Sequence, residues 1–317
     1  MSAVVELVRR AWRETLDASP GDASWEEAGG DSLATLHLVY RLEQLLGRGL
    51  ALDLIQPEMT LATMAAAVDR GTVAADDGLP CVFLVPGVNG DESGLVRFRR
   101  ALAGDMRFEL VEPLRLETPA RLLTDVAAAG RIAAAEIARR APVGPLLVAG
   151  YSFGGGVALE AAAALIAAGR TVALVAVLDT AFGDAVLGPP RLEWRRRWRR
   201  RLRDVATSVV AHDGLRRLVI RLAERIAPGR ALALRQLLMR WLRTRARLRW
   251  RPSPVEAPFW VVLSDEFAPR TEAAWGRHFP HVTIVRIRAT HLSLIRGEGL
   301  PVLTRAFADA VAGARER

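Results

Sequence analysis

The stretch Gly150-Tyr151-Ser152-Phe153-Gly154 constrains the fold of this chain more than any other. An apolar run, Pro145–Ala149, precedes it, and a long apolar segment, Val157–Ala168, follows it. A strand, a tight turn and a helix in that order, with glycines two residues either side of a serine, form the nucleophile elbow G-x-S-x-G. Glycine is needed because the serine backbone is strained and the turn passes close to neighbouring chain. The pattern predicts an exposed Ser152 hydroxyl. A glycine-rich turn with a surface serine and no catalytic role would show the same sequence pattern.

A serine needs a general base and an orienting carboxylate before it acts as a nucleophile at neutral pH. Asp179 stands at the end of a continuous apolar run, Thr171–Leu178, which predicts a strand covered on both faces. His291 follows the last predicted strand, Val282–Ile287. Strand ends at one edge of a parallel sheet are where such sites are built. We therefore predict Ser152 as nucleophile, Asp179 as acid and His291 as base.

The order serine, acid, histidine along the chain is that of α/β-hydrolases and differs from the order in other serine hydrolases. The predicted fold class is therefore α/β, with a doubly wound, mostly parallel sheet. One alternative for the acid stays open. Asp265 follows the strand Phe259–Leu263, which is another strand end where such folds place the carboxylate.

Acyl transfer also needs two backbone N–H groups aimed at the developing oxyanion. Phe153 is predicted to supply one, because it follows the nucleophile at the start of a helix whose dipole favours negative charge. The loop Pro86–Gly90, after the strand Val82–Val85, is predicted to supply the other, with Val88 as the donor. An ordinary Pro-Gly turn fits the same loop equally well.

Composition narrows the class of protein. No apolar run reaches membrane-spanning length, and the first residues lack the basic start and apolar centre of a signal peptide. Cys81 is the only cysteine, so an internal disulfide is impossible and a reducing cytoplasm is the expected location. No metal site is predicted. At 317 residues the chain has room for two domains.

The first 70 or so residues have the pattern of a separate helical unit. Apolar residues recur at helical spacing over 4–16 and 33–46, and a short helix fits Leu61–Val68. Residues 71–80 are small, acidic and rich in glycine and proline, which is typical of a flexible connector. Two domains are therefore predicted, spanning 1–77 and 78–317.

Between the first two predicted helices lies Gly29-Gly30-Asp31-Ser32-Leu33, where the glycines allow a turn and Asp31 or Ser32 can cap the next helix. This stretch resembles the attachment site of acyl and peptidyl carrier domains, and Trp25 matches their upstream aromatic residue. The resemblance covers residues 4–70 and implies a small four-helix carrier domain. It also implies that a phosphopantetheinyl transferase attaches 4′-phosphopantetheine to Ser32, where the helix N-terminus suits the phosphate. A plain helix cap is the alternative.

From Cys81 onwards the chain resembles the thioesterase domains that end nonribosomal peptide and polyketide assembly lines. The similarity rests on Gly150–Gly155, on Leu178-Asp179-Thr180 and on His291–Leu294, which occur in the family's order and at similar intervals. Thr290 departs from the pattern, since many members have aspartate before the histidine. The loop around Val88 also differs from the commoner His-Pro and Pro-Pro forms.

This resemblance implies release of an acyl or peptidyl chain from a carrier thioester. Ser152 would take the acyl group, His291 would act as base and then acid, and Asp179 would hold His291. Hydrolysis and macrocyclisation both stay open, and upstream synthases or carrier proteins are the implied partners. An editing thioesterase, a general carboxylester hydrolase and a non-catalytic carrier scaffold stay open as alternatives.

A helical lid is predicted at about 186–254, and its charge is unusual. Residues 191–251 contain 20 arginines and four acidic residues, a net charge of +16, whereas residues 1–78 have a net charge of −7. The asymmetry favours attraction of an acidic carrier surface by the lid, although a merely solvated face fits too. Membrane-surface contact is a disfavoured alternative. No nucleic-acid partner is predicted, because no recognised motif accompanies the charge.

Overall fold

The computed structural model describes residues 3–16, 19–30, 32–46, 50, 54–70, 78–87, 93–112, 122, 124–182, 214, 218, 242 and 245–316. The predicted oxyanion donor Val88, the predicted domain boundary at Asp77 and most of the predicted lid at 186–254 lie outside these residues. They therefore stay predictions.

The N-terminal region is a small helical unit with its own core. Its described helices are α1 (Ala3–Leu16), α2 (Ser32–Leu46) and α3 (Leu61–Arg70). The helical spacing of Val8, Ala11 and Trp12 places all three on the buried face of α1. Trp12 meets Trp25 edge to face, with ring centroids 4.8 Å apart. Of the four helices that the resemblance implies, three fall within the described residues, and residues 54–60 between α2 and α3 are irregular.

The rest of the described chain is built on a six-stranded sheet. Its strands are β1 (Cys81–Val85), β2 (Arg107–Leu110), β3 (Leu146–Tyr151), β4 (Val172–Leu178), β5 (Phe259–Ser264) and β6 (Thr283–Ile287). The strand order is β2-β1-β3-β4-β5-β6, and each neighbouring pair is parallel. The order reverses between β1 and β3, so the loops after these two strands diverge and open the crevice where ligands bind in such sheets.

Helices cover both faces of the sheet. They are α4 (Ser93–Ala101), α5 (Val126–Arg140), α6 (Phe153–Ala167), α7 (Ala268–His278), α8 (Ser293–Arg296) and α9 (Leu300–Arg315). One apolar core lies under α5 and α6, and a second lies under α4 and α9. Burial on both sides explains why β3 and β4 are almost continuously apolar. The predicted α/β fold class is confirmed. No helix among the described residues is long and apolar enough to cross a membrane.

The chain that returns from the predicted lid is fixed to α6 by Glu160. This buried carboxylate accepts hydrogen bonds from Trp250 Nε1 at 2.7 Å and from the Ser253 N–H and hydroxyl at 2.9 and 2.8 Å. Gly156, one turn earlier on α6, leaves room for the Trp250 ring, which would lie 2.9 Å from a Cβ at that position. The C-terminal end of the lid segment is therefore held on the helix that directly follows Ser152.

A buried ion pair joins the N-terminal unit to the α/β body. Arg99 of α4 donates from Nη1 to Glu43 Oε2 and from Nη2 to Glu43 Oε1, both at 2.6 Å. The Leu50 N–H also donates to Glu43 Oε1, at 2.9 Å. The Arg99 side chain is 4% exposed and that of Glu43 is fully buried. Charges removed from water in this way are tolerated when they are paired and hydrogen-bonded.

Candidate active site

Ser152 occupies the sharp turn between β3 and α6. The prediction of an exposed serine was wrong, because Ser152 is only 3% exposed and the His291 ring lies against its hydroxyl. Its backbone has φ 56° and ψ −118°, in a region that non-glycine residues rarely adopt. The Ser152 N–H donates to the Leu178 carbonyl at 2.8 Å, and the Thr180 hydroxyl donates to the Ser152 carbonyl at 2.6 Å. The end of β4 therefore holds the strained turn from both sides.

The two glycines of the G-x-S-x-G pattern stand where no side chain fits. A Cβ on Gly150 would lie 2.1 Å from the carbonyl oxygen of Gly154. A Cβ on Gly154 would lie 2.2 Å from the Val85 carbonyl oxygen and 2.3 Å from that of Pro86. These are backbone atoms that cannot rotate away, so the sequence pattern reflects the close approach of the turn to β1 and to its own helix.

We expect Gly154→Ala to destabilise the fold by more than about 4 kcal/mol, because the added methyl group meets two backbone carbonyls. Gly276→Ala is the matched control. Gly276 lies in α7 with nothing within 4 Å of its Cβ position, so alanine should stabilise by about 0.5–1 kcal/mol. Urea unfolding of both variants measures the effect, and a wild-type midpoint for Gly154→Ala would contradict the expectation.

His291 lies in the loop after β6 and reaches the serine. Its Nε2 is 3.1 Å from Ser152 Oγ, and its Nδ1 is 2.7 Å from Asp179 Oδ2. The imidazole is stacked on Tyr151, with centroids 4.8 Å apart and planes at 14°, and Phe267 contacts it at 4.9 Å. The Tyr151 hydroxyl donates to the His291 carbonyl at 2.6 Å. Ring orientation is therefore set by packing as well as by the carboxylate.

Asp179 is fully buried at the end of β4. Besides the His291 contact, its carboxylate accepts hydrogen bonds from the Ser264 N–H at 2.7 Å and from the Ser264 hydroxyl at 2.8 Å. These hydrogen bonds hold the carboxylate in position beside the imidazole. The open alternative, Asp265, is exposed, and its N–H bonds the Ala289 carbonyl. Asp179 is the carboxylate that bonds His291 Nδ1.

Backbone strain within the described residues concentrates at this site. Among the described residues, the non-glycine residues with positive φ are Ser152, at 56°, and Asp179, at 51°. Such conformations cost free energy and persist where the surrounding structure holds them in place. In these strained conformations the Ser152 and Asp179 side chains both contact the His291 imidazole. This agrees with a functional constraint at both positions.

Of the two predicted oxyanion donors, the structure describes Phe153 but not Val88. Phe153 is the first residue of α6, so its N–H belongs to the helix N-terminus beside Ser152. Val88 lies outside the described residues, but Pro86 and Gly87 before it are buried, and the Pro86 carbonyl packs on Gly154. The loop after β1 thus runs alongside the Ser152 turn, and Val88 stays a prediction.

Arg247 brings a positive charge into this region from the predicted lid. It lies in the helical residues 245–249, and its buried Nε has no hydrogen-bond partner among the residues that the structure describes. Burial lowers the pKa of the guanidinium to about 10, and the charge of Asp179 acts in the opposite direction. The arginine-rich composition of the lid gave no reason to single out this residue. Nor did the sequence indicate Ser264 or Phe267, although each lies next to a predicted strand end.

The second predicted site lies where α2 begins. Ser32 is the first residue of this helix, and Gly30 packs closely against Trp25. A Cβ on Gly30 would lie 2.2 Å from the ring of Trp25, and the Trp25 Nε1–H donates to Thr35 Oγ1 at 2.7 Å. The first turn of α2 has no acidic side chain, so its N–H groups can face an anion. These residues fit a phosphate-linked arm on Ser32.

Two family profiles match the chain. Residues 6–68 match the phosphopantetheine attachment site, and residues 80–185 match the thioesterase domain. No curated protein sequence matches the chain.

Several solved structures share the fold. The NocB thioesterase domain from the nocardicin cluster is 16% identical with a TM-score of 0.54, over 74% of this chain and 94% of that one. The Vlm2 thioesterase domain with a bound dodecadepsipeptide is 17% identical with a TM-score of 0.51, over 73% and 93%. A holo four-domain nonribosomal peptide synthetase bound to AMP and glycine is 16% identical with a TM-score of 0.55, and this chain spans 26% of its length.

The fold is therefore that of an α/β-hydrolase, and the protein is a hydrolytic enzyme. The chain joins a phosphopantetheine carrier domain to a thioesterase domain. Because the first domain is an attachment site, the cofactor is a covalently bound 4′-phosphopantetheine.

Proposed function

We propose that this protein releases an acyl or peptidyl chain from the arm on Ser32 through an acyl-enzyme on Ser152. One observation carries the proposal: the continuous contact from Ser152 Oγ through the His291 imidazole to the Asp179 carboxylate. This is the arrangement that activates a serine for acyl transfer. The bound arm would supply a thioester carbonyl and a thiol leaving group.

In the acylation half, His291 acts first as base. With Nδ1–H donating to Asp179, Nε2 is left to accept the proton of the Ser152 hydroxyl. Ser152 Oγ then attacks the thioester carbonyl carbon, a C–O bond forms, and the C–S bond breaks. His291 returns the proton to the departing sulfur. The Asp179 carboxylate holds the imidazole in place and stabilises the positively charged imidazolium that exists between these proton transfers.

The tetrahedral intermediate places negative charge on the former carbonyl oxygen. The N–H of Phe153 at the start of α6 is one proposed donor to this oxygen, and Val88 in the loop after β1 is the other. Removing one such donor typically costs about 100- to 1,000-fold in turnover. The helix dipole of α6 adds a favourable field at the same point.

In the deacylation half, His291 acts again as base. It takes a proton from water, or from a hydroxyl or amine of the acyl chain, and that oxygen or nitrogen attacks the Ser152 ester. The Ser152 hydroxyl is regenerated as His291 returns the proton to Oγ. Water gives hydrolysis, whereas an internal nucleophile gives macrocyclisation. Both outcomes use the same three residues.

We place this reaction in nonribosomal peptide biosynthesis. Two observations support that setting: the fused carrier domain and the likeness to the synthetase and thioesterase structures described above. Upstream synthase or carrier proteins and a phosphopantetheinyl transferase are then the partners. A polyketide substrate and an editing role fit the same site, while a general carboxylester hydrolase would have no use for the carrier. The lone cysteine, Cys81, agrees with a reducing cytoplasm.

The test is to load the purified chain with a phosphopantetheinyl transferase and an acyl-CoA and to follow its intact mass. We expect one acyl-arm adduct, followed by loss of the acyl group alone. Ser32→Ala should give no adduct, while Ser19→Ala, at an exposed serine of the same domain, should load normally. Loading of Ser32→Ala, or an acyl adduct that persists in the wild type, would overturn the proposal.

A thiol reagent gives a second readout of release. Burial, with a smaller contribution from the charge of Glu109, raises the pKa of the Cys81 thiol to about 11. Cys81 therefore stays largely unreactive at pH 8. The arm thiol is then the group that a maleimide labels, and labelling should appear as the acyl group is released.

A further inference from the structure

The ion pair between Glu43 and Arg99 connects the helix that begins at Ser32 to the thioesterase body. Glu43 lies eleven residues after Ser32 on α2, which is about 16 Å along the helix at 1.5 Å per residue. Both bonds of the pair are 2.6 Å, and the two side chains are almost completely buried. The contact therefore fixes the position of α2 as well as holding the domains together.

On the other side, Arg99 belongs to a helix that is packed against the His291 loop. Its helix, α4, lies against α8, which starts two residues after His291. A Cβ on Gly94 would lie 2.6 Å from the Ile295 side chain, so glycine is needed for this close packing. Arg97 also donates from Nη1 to the Arg296 carbonyl at 3.3 Å. The carrier is thus attached to an element next to the catalytic loop.

A buried ion pair of this kind favours one orientation. The overall charges of the lid and of the carrier, +16 and −7, attract over a distance but do not set register. A bidentate guanidinium–carboxylate pair does fix the orientation of the two domains. Its hydrogen bonds replace the lost hydration of the two charges only when both groups meet in the correct geometry. If either charge is removed, its partner stays buried and unpaired in the docked state, which then becomes unfavourable.

We propose, on the basis of the release function above, that the Glu43–Arg99 pair is a docking contact. It holds the carrier domain in the orientation from which the thioesterase domain of the same chain releases the acyl group on Ser32. The occupant of the docking surface on α4 is therefore the acidic carrier of the same chain. A carrier from another protein would need an acid at the position of Glu43 to dock equally well.

The experiment compares two reactions in the full-length protein. One is release of an acyl group from the arm on Ser32, and the other is hydrolysis of a small acyl-N-acetylcysteamine thioester that needs no docking. We expect Glu43→Gln and Arg99→Gln each to slow release from Ser32 by about tenfold or more, with thioester hydrolysis within twofold of wild type. Arg100→Gln, which removes an exposed charge from the same helix, should change neither reaction.

Small-angle scattering of the apo chain gives a readout that is independent of activity. A docked chain of 317 residues should have a radius of gyration of about 20 Å. Glu43→Gln should increase it by several ångströms, because the carrier moves away on its connector. Arg100→Gln should leave it unchanged.

A reversed pair guards against misfolding of the single variants. In Glu43→Arg with Arg99→Glu, the charges exchange places, so release from Ser32 should recover relative to Glu43→Arg alone. Wild-type release rates in both glutamine variants would overturn the docking role. An equal loss of both reactions that the exchange does not reverse would also overturn it and assign the pair to stability alone. Failure of the wild type to hydrolyse either thioester would instead refute the proposed function.

Discussion

Ser152→Ala is expected to load normally at Ser32 and then to keep its acyl group, with release slowed by about 10,000-fold or more. The reason is that the variant lacks the oxygen that lies 3.1 Å from His291 Nε2, so no acyl-enzyme can form. Intact mass should therefore show a stable acyl adduct on the arm. The same variant should not hydrolyse a small acyl thioester.

Thr304→Ala is a suitable control for this variant. It also removes one hydroxyl, which on α9 donates to the Pro301 carbonyl of its own helix at 3.1 Å, and it should release acyl groups at the wild-type rate. Thermal unfolding should show both variants folded. Release by Ser152→Ala at even a tenth of the wild-type rate would exclude Ser152 as the nucleophile.

Asp179→Asn is expected to lower acyl release by about 10,000-fold with the fold intact. Three donors converge on the Asp179 carboxylate: the Ser264 N–H, the Ser264 hydroxyl and His291 Nδ1. An asparagine side chain has one oxygen and one NH₂ group, so its NH₂ must face one of these donors. If the NH₂ group faces His291, it favours the imidazole tautomer that carries its proton on Nε2. A protonated Nε2 cannot accept the proton of the Ser152 hydroxyl.

Asp265→Asn is the matched substitution and separates the two acids that the sequence left open. Asp265 is exposed and only one residue beyond Ser264, so the same chemical change should leave release within about twofold of wild type. The measurement is single-turnover release from the loaded arm in both variants. A large loss with Asp265→Asn and a small one with Asp179→Asn would reverse the assignment of the acid.

The fold class was predictable because its signals are local. The continuous apolar runs around Leu146 and Val172 become strands buried on both faces. The glycines at 150 and 154 report a close backbone approach that only this turn requires. The helical periodicity of residues 4–16 likewise predicted α1, whose apolar face packs inward.

The candidate site was predictable in part. Strand ends at one edge of a parallel sheet converge, so Ser152, Asp179 and His291 could be selected from their positions after strands. The residues that contact these three side chains could not be predicted in the same way. Ser264 and Phe267 are ordinary residues in the sequence, and Arg247 is one arginine among many until its buried Nε sets it apart.

The sequence by itself determined the local features: a strained serine turn, an acid and a histidine after later strands, and a serine at the start of a helix in a separate helical unit. Each depends on neighbours within a few residues, so periodicity and glycine placement are enough to predict it. Only the tertiary structure decided which carboxylate meets His291 and which residue of the carrier meets the thioesterase body. Asp179 and Asp265 both follow strands, and Glu43 resembles every other acid of the carrier, because long-range pairing depends on how the helices and strands pack in space.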